Sequence, residues 1–177
     1  MNWIQTFKLD NTIVDYVLGN LTVTLVDQIN CIPVDIPEIP IEDYARKYME
    51  SFKEYNYFIE LDKLGINKEM YLVYTPPRTF RNWQSVTGRH FTFYIFLNDS
   101  DLVYEFFDPF SSTTKRFKAT KGLVVILPSI WMIVGRHTST RTTHAIFVMG
   151  SIGITDLDNV HQSGSSNVNP EPSVVQG

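Results

Sequence analysis

The stretch that decides the fold is Arg89-His90-Phe91-Thr92-Phe93-Tyr94-Ile95-Phe96-Leu97-Asn98-Asp99. Successive side chains of a strand point to opposite faces. Phe91, Phe93, Ile95 and Leu97 therefore share one side, and His90, Thr92, Tyr94 and Phe96 share the other. Asn98-Asp99-Ser100-Asp101 makes a turn, and Leu102 to Phe107 returns as a second strand.

Working outward, Met70 to Tyr74 is a short strand stopped by Pro76 and Pro77. Lys115 to Ala119 is a short polar strand, and Leu123 to Leu127 is continuously apolar, as a strand covered on both faces must be. Trp131 to Val134 and His144 to Met149 complete the set. Short strands at even spacing with turn residues between them predict a mainly β protein, a sandwich or jelly roll. On the N-terminal side, Leu21 to Val26 alternates like a strand, and Pro33, Pro37 and Pro40 predict an extended linker. Glu42 to Tyr57 has helical spacing, with Tyr44, Tyr48, Phe52 and Tyr55 forming an aromatic stripe suited to packing on a sheet. The predicted fold class is thus mainly β with bracing helices.

From Thr155 the apolar pattern stops, which predicts one domain over residues 1–154 and a flexible tail over 155–177. Gln176-Gly177 resembles sites cut by proteases of picorna-like viruses, a weak dipeptide signal beside the plain reading of a polar end. The chain has 177 residues, enough for a single core, and its one cysteine, Cys31, excludes an intramolecular disulfide framework and cysteine-based metal sites. No apolar run is long enough to span a bilayer, so a soluble, cytoplasmic protein without membrane partners is expected. A net charge of -4 gives no global basic field for nucleic acid.

Four phrases occur in an order with a known counterpart: Tyr74-Thr-Pro-Pro-Arg-Thr-Phe-Arg-Asn-Trp83, Arg89 to Asp99, Lys121-Gly-Leu-Val-Val-Ile-Leu-Pro-Ser-Ile-Trp131 and Arg141-Thr-Thr-His-Ala-Ile-Phe-Val148. Together they resemble the 2-oxoglutarate- and iron(II)-dependent dioxygenases in their prolyl 4-hydroxylase-like branch, across about residues 70–150. The resemblance implies a double-stranded β-helix preceded by helices. It also implies two histidines and a carboxylate on iron(II), the first pair as His-x-Asp just after Trp83. Gln84-Ser85-Val86 stands there instead; Gln84 is a poor neutral ligand and Val86 is none. The distal histidine falls on His137, with Val134 an equal claimant, and the cation for 2-oxoglutarate falls near Arg141. The resemblance therefore implies a degenerate metal site, no bound cofactor and a non-catalytic scaffold. Its phrasing is closest to viral and phage members, which places it in a virion or host cytoplasm. The enzyme alternative is a divergent hydroxylase using iron(II) and 2-oxoglutarate, with His90 or Asp99 as a stand-in ligand.

Other constellations carry less. His90, His137 and His144 with Asp101, Glu105 or Asp108 suggest a cupin-like metal set, against ordinary hydrogen-bonded residues. Cys31 lacks a nucleophile phrase, and Ser129 lacks the Gly-x-Ser-x-Gly elbow. Asn20 and Asn98 head glycosylation triplets that need a secretory route. Arg78, Arg81, Trp83, Arg89 and His90, with Phe80 among them, interleave cations and rings where the family's active-site mouth opens. They predict a partner-binding surface for a protein or virion component, with single-stranded nucleic acid as the second class of partner.

Overall fold

The computed structural model describes residues 4–21, 30–50, 64–80, 83–85, 91–108, 111–128, 134–137 and 143–156. Its strands are β1 (Gln5–Lys8), β2 (Asn30–Val34), β3 (Leu64–Thr75), β4 (Gln84–Ser85), β5 (Phe91–Phe96), β6 (Val103–Asp108), β7 (Thr113–Lys118), β8 (Leu123–Pro128), β9 (Val134–His137) and β10 (Ala145–Asp156). Two helices, α1 (Asn11–Asn20) and α2 (Ile41–Glu50), are interspersed before β3. The strands form a six-stranded sheet, β1-β8-β5-β10-β3-β2, and a four-stranded sheet, β4-β9-β6-β7. Every described pairing is antiparallel.

The alternation in β5 settles where each layer goes. Phe91, Phe93 and Ile95 join Val124 and Ile126 of β8 under Val14 and Val17 of α1 and Tyr44 and Tyr48 of α2. Tyr94 and Phe96 point the other way, with Val125, Leu127 and Phe147, against Tyr104 and Phe106 of the smaller sheet. The predicted aromatic helix face is present at Tyr44, which stacks on Phe7 at 5.7 Å, and at Tyr48, which meets Phe91 edge-on at 4.7 Å. Phe52 and Tyr55 lie outside the described residues. Burial of Tyr48 drives its phenol pKa well above the ordinary value of 10.0.

Two expectations change. The proline-rich linker begins as an edge strand, β2, in which Pro33 lies opposite Tyr71; an edge tolerates proline because one side of the strand needs no ladder donor. Helix α1 is an addition to the expected elements: Asp10 caps it by accepting from the Thr12 amide at 2.7 Å, and Leu21, expected to open a strand, follows its last turn. Of the strand expected over Trp131 to Val134, Trp131 to Ile133 lie outside the described residues, and β9 spans Val134–His137. The closing strand β10 includes Thr155 and Asp156, opposite Gly65 and Leu64. Residues 22–29 and the segment beyond 156 lie outside the described residues.

The β5–β6 turn is tied to the start of β10 by side chains. Asn98 Oδ1 accepts from the Ile146 amide at 2.8 Å, and its Nδ2 donates to the His144 carbonyl at 3.0 Å, extending the β5–β10 ladder. Thr143 donates to Asp101 Oδ1 at 2.7 Å and accepts from the Asp101 amide at 2.9 Å. At the opposite turn Gly122 takes φ 82, and its carbonyl accepts from the Leu9 amide at 2.7 Å. A Cβ there meets the Leu9 carbonyl oxygen at 2.8 Å, so the turn requires glycine.

Candidate functional site

The chain crosses from the end of β3 to β4 through the segment that the resemblance places at the active-site mouth. That crossing contains Arg78 in the left-handed region at φ 60, a strained conformation for a residue with a Cβ. Thr79 braces the turn by donating to the Pro76 carbonyl at 2.7 Å. Arg78, Phe80 and Trp83 are all exposed on this rim. Arg81, Arg89 and His90 lie outside the described residues.

Strand pairing places Gln84 opposite Gly135 and Gly135 opposite Phe106. Position 137 lies opposite Tyr104, and Val134 lies opposite Ser85 and Phe107.

Position 84 carries a glutamine where the resemblance places the first histidine, and its partner on β9 is a glycine. Val86, at the place the resemblance gives to the carboxylate, lies outside the described residues and has no ligating atom in any geometry. The closing strand brings Ala145, Phe147 and Met149 to the inner core, an apolar set with no cation for a carboxylate. Arg141 lies outside the described residues.

Among the described residues, rings meet in the inner core. Tyr94 stands 4.7 Å from Tyr104 and 5.4 Å from Phe106, and Phe96 stands 5.7 Å from Phe147. Thr75, fully buried opposite Ala145, carries the one buried side-chain polar atom without a hydrogen-bond partner among the described residues. A single neutral hydroxyl is not a metal or carboxylate site. Among the described residues, no group of three His, Cys, Asp or Glu side chains could hold a metal ion.

The cupin-like alternative is dispersed. His144 rests 5.8 Å from Tyr74, which pairs with Ile146 on the helix side of the large sheet, away from position 137. Glu105 is on the outer face of the small sheet, where it accepts from Arg116 Nε at 2.6 Å. Asp101 is held by Thr143, and Asp108 accepts from the Ser111 hydroxyl at 2.9 Å. Asp99, the other stand-in, accepts from the Lys121 amide at 2.9 Å in an exposed turn. Cys31 is exposed on the edge strand β2.

With this geometry in view, the comparisons with solved structures are specific. A prolyl-4-hydroxylase from Pseudomonas putida superposes with a TM-score of 0.63 at 10% identity, covering 86% of this chain and 93% of that one. The fold is that of the 2OG-Fe(II) oxygenases. A viral collagen prolyl hydroxylase from Paramecium Bursaria Chlorella virus-1 matches with a TM-score of 0.56 at 13% identity, over 85% of this chain and 95% of that one. A 2OG-Fe(II) oxygenase family oxidoreductase from Burkholderia pseudomallei gives 0.56 at 11% identity, over 85% and 84%. No family model and no curated protein matches the chain. The double-stranded β-helix expected from the sequence is thus present, and identities this low speak for the fold alone. Among the described residues, no helix is long and apolar enough to cross a membrane.

Proposed function

We propose that this protein is a non-catalytic binding or assembly module built on an oxygenase fold. The observation that carries the reading is Gln84-Ser85-Val86, which stands where the resemblance expects a His-x-Asp pair. Chemistry on iron(II) needs several strong donors on one side of the ion, and this stretch offers a neutral amide and an aliphatic chain in their place. The apolar residues that β10 adds to the inner core, Ala145, Phe147 and Met149, support the same conclusion. The exposed rim residues Arg78, Phe80 and Trp83 are where a protein or virion component would be engaged. The setting that goes with this reading is a virion or the host cytoplasm.

The decisive test is anaerobic titration with iron(II) and 2-oxoglutarate while the melting temperature is followed. A ligand that binds only the native state raises it. The expected result is no shift. A rise that His137→Ala abolishes would establish the hydroxylase alternative and overturn the proposal.

A further inference from the structure

The large sheet carries a cavity at its β2 edge. Strand β2 pairs with β3 over Met70 to Tyr74, with Pro33 opposite Tyr71 and Val34 opposite Met70. Beyond that pair the two segments part. Strand β3 extends back through Glu69 and Lys68 to Leu64, while the other chain segment leaves β2 at Asp35 on its way to α2. Where they separate they border a cavity of about 360 Å³, with Pro33, Val34 and Asp35 on one side and Lys68, Glu69, Met70 and Tyr71 on the other.

The lining combines apolar carbon with unmatched negative charge. Pro33, Val34 and Met70 supply the apolar surface. Asp35 is exposed, and among the described residues no hydrogen bond or ion pair holds its carboxylate. Glu69 adds a second carboxylate to the walls. The cation of the lining, Lys68, already has its counter-charge, because its Nζ is 3.0 Å from Glu42 Oε1 on α2. Tyr71 is half-buried and brings an aromatic ring to the same cavity. The approach is acidic as well, since residues 30–45 hold Asp35, Glu38, Glu42 and Asp43 and no Lys or Arg.

We infer that this cavity binds an aliphatic ammonium group, carried by a free alkylamine or by a lysine side chain of a partner protein. Asp35 takes the ammonium in a charge-assisted hydrogen bond, and the Tyr71 ring offers its negative face to the same charge. Pro33, Val34 and Met70 take the methylene stem. An anion is the weaker match, because it meets two carboxylates and a lysine that is already engaged. A neutral chain leaves Asp35 unused. The inference goes beyond the binding-module reading and uses neither the iron question nor the rim, so it can fail while that reading stands.

The experiment is a titration of the isotope-labelled full chain, followed through its backbone amide shifts by NMR. The probes are Nα-acetyl-lysine amide, cadaverine, and the lysine amide acetylated at Nε as well. The first two should shift the amides of Asp35 and Tyr71 with millimolar affinity, and the third, which has lost the charge, should leave them in place. Asp35→Asn should weaken binding of both amines about five-fold, the upper range for one exposed ion pair. Tyr71→Leu should weaken it about two- to five-fold, the share of a cation over an exposed ring. Circular dichroism checks that each variant is folded. Tighter binding of the lysine amide supports the inference with a partner's lysine as the source, and tighter binding of cadaverine supports it with a free amine. Absence of shifts with both amines overturns the inference. Equal shifts with the Nε-acetylated probe, or wild-type affinity in both variants, overturn it too.

Discussion

The two sheets use the same antiparallel pairing and divide the work of the molecule between them. In the large sheet every residue of β5 is buried, because α1 and α2 cover one face and the small sheet covers the other. The small sheet has one core face and one wet face, so Phe106 is 1% exposed while its neighbour Phe107 is 38% exposed. A strand covered twice has to be apolar at nearly every position, which leaves it no place for charge. A strand covered once can alternate, and its free face can carry cations and rings without disturbing the core. Recognition chemistry is accordingly sought on the rim and at the sheet edges, where cover ends.

That contrast can be broken most sharply within β6. Phe106→Ala removes a buried ring from the inner cluster and should cost about 3–5 kcal/mol in urea unfolding. In the large sheet, Gly150 lies opposite Phe93, and a Cβ at 150 collides with the Phe93 ring and the Glu69 carbonyl oxygen. Gly150→Ala should therefore destabilise by about 1–3 kcal/mol through overpacking, with Phe93→Leu in the same chain restoring part of the loss. Between helix and sheet, the Tyr48 phenol has a folded pKa raised by burial, so the stability it lends is intact below pH 10.0 and lost as pH rises further. Alkaline titration should show stability falling by up to about 1.4 kcal/mol per pH unit from this group, and Tyr48→Phe should remove that share. At the small end, Phe107→Ala should change stability by no more than about 0.5 kcal/mol, since its ring is on the wet face. Equal costs for Phe106→Ala and Phe107→Ala would show that something in the native protein covers the outer face, and the division between the sheets would fail.

Much of the architecture was legible in the sequence because burial writes itself into period. The unbroken apolar run of β8 placed that strand between layers, the alternation of β5 gave its two faces, and the 44, 48 spacing placed α2 on the sheet. Where the period was weak, reading failed. Asp10, Thr12, Ile13, Val14, Val17 and Leu18 contain a cap and a helical repeat, but α1 spans only 10 residues, too few for the repeat to stand out. Pro33 reads as a breaker on any strand, and only its place at a sheet edge makes β2 permissible. The metal question was posed by the sequence, which offers Gln84 and Val86 where donors were expected. It left His137 and Val134 tied, because two residues three apart on a short strand cannot be assigned to faces without a partner strand.

The sequence by itself determined the class of fold, the double cover of β8 and the absence of a His-x-Asp phrase after Trp83. Only the tertiary structure decided that position 84 pairs with position 135, that Pro33 sits on an edge strand, and that Glu105 holds an exposed Arg116. The physical reason is that burial acts on each residue where it stands and leaves a local mark. Register between strands is a relation among distant segments, set by closing the whole sheet.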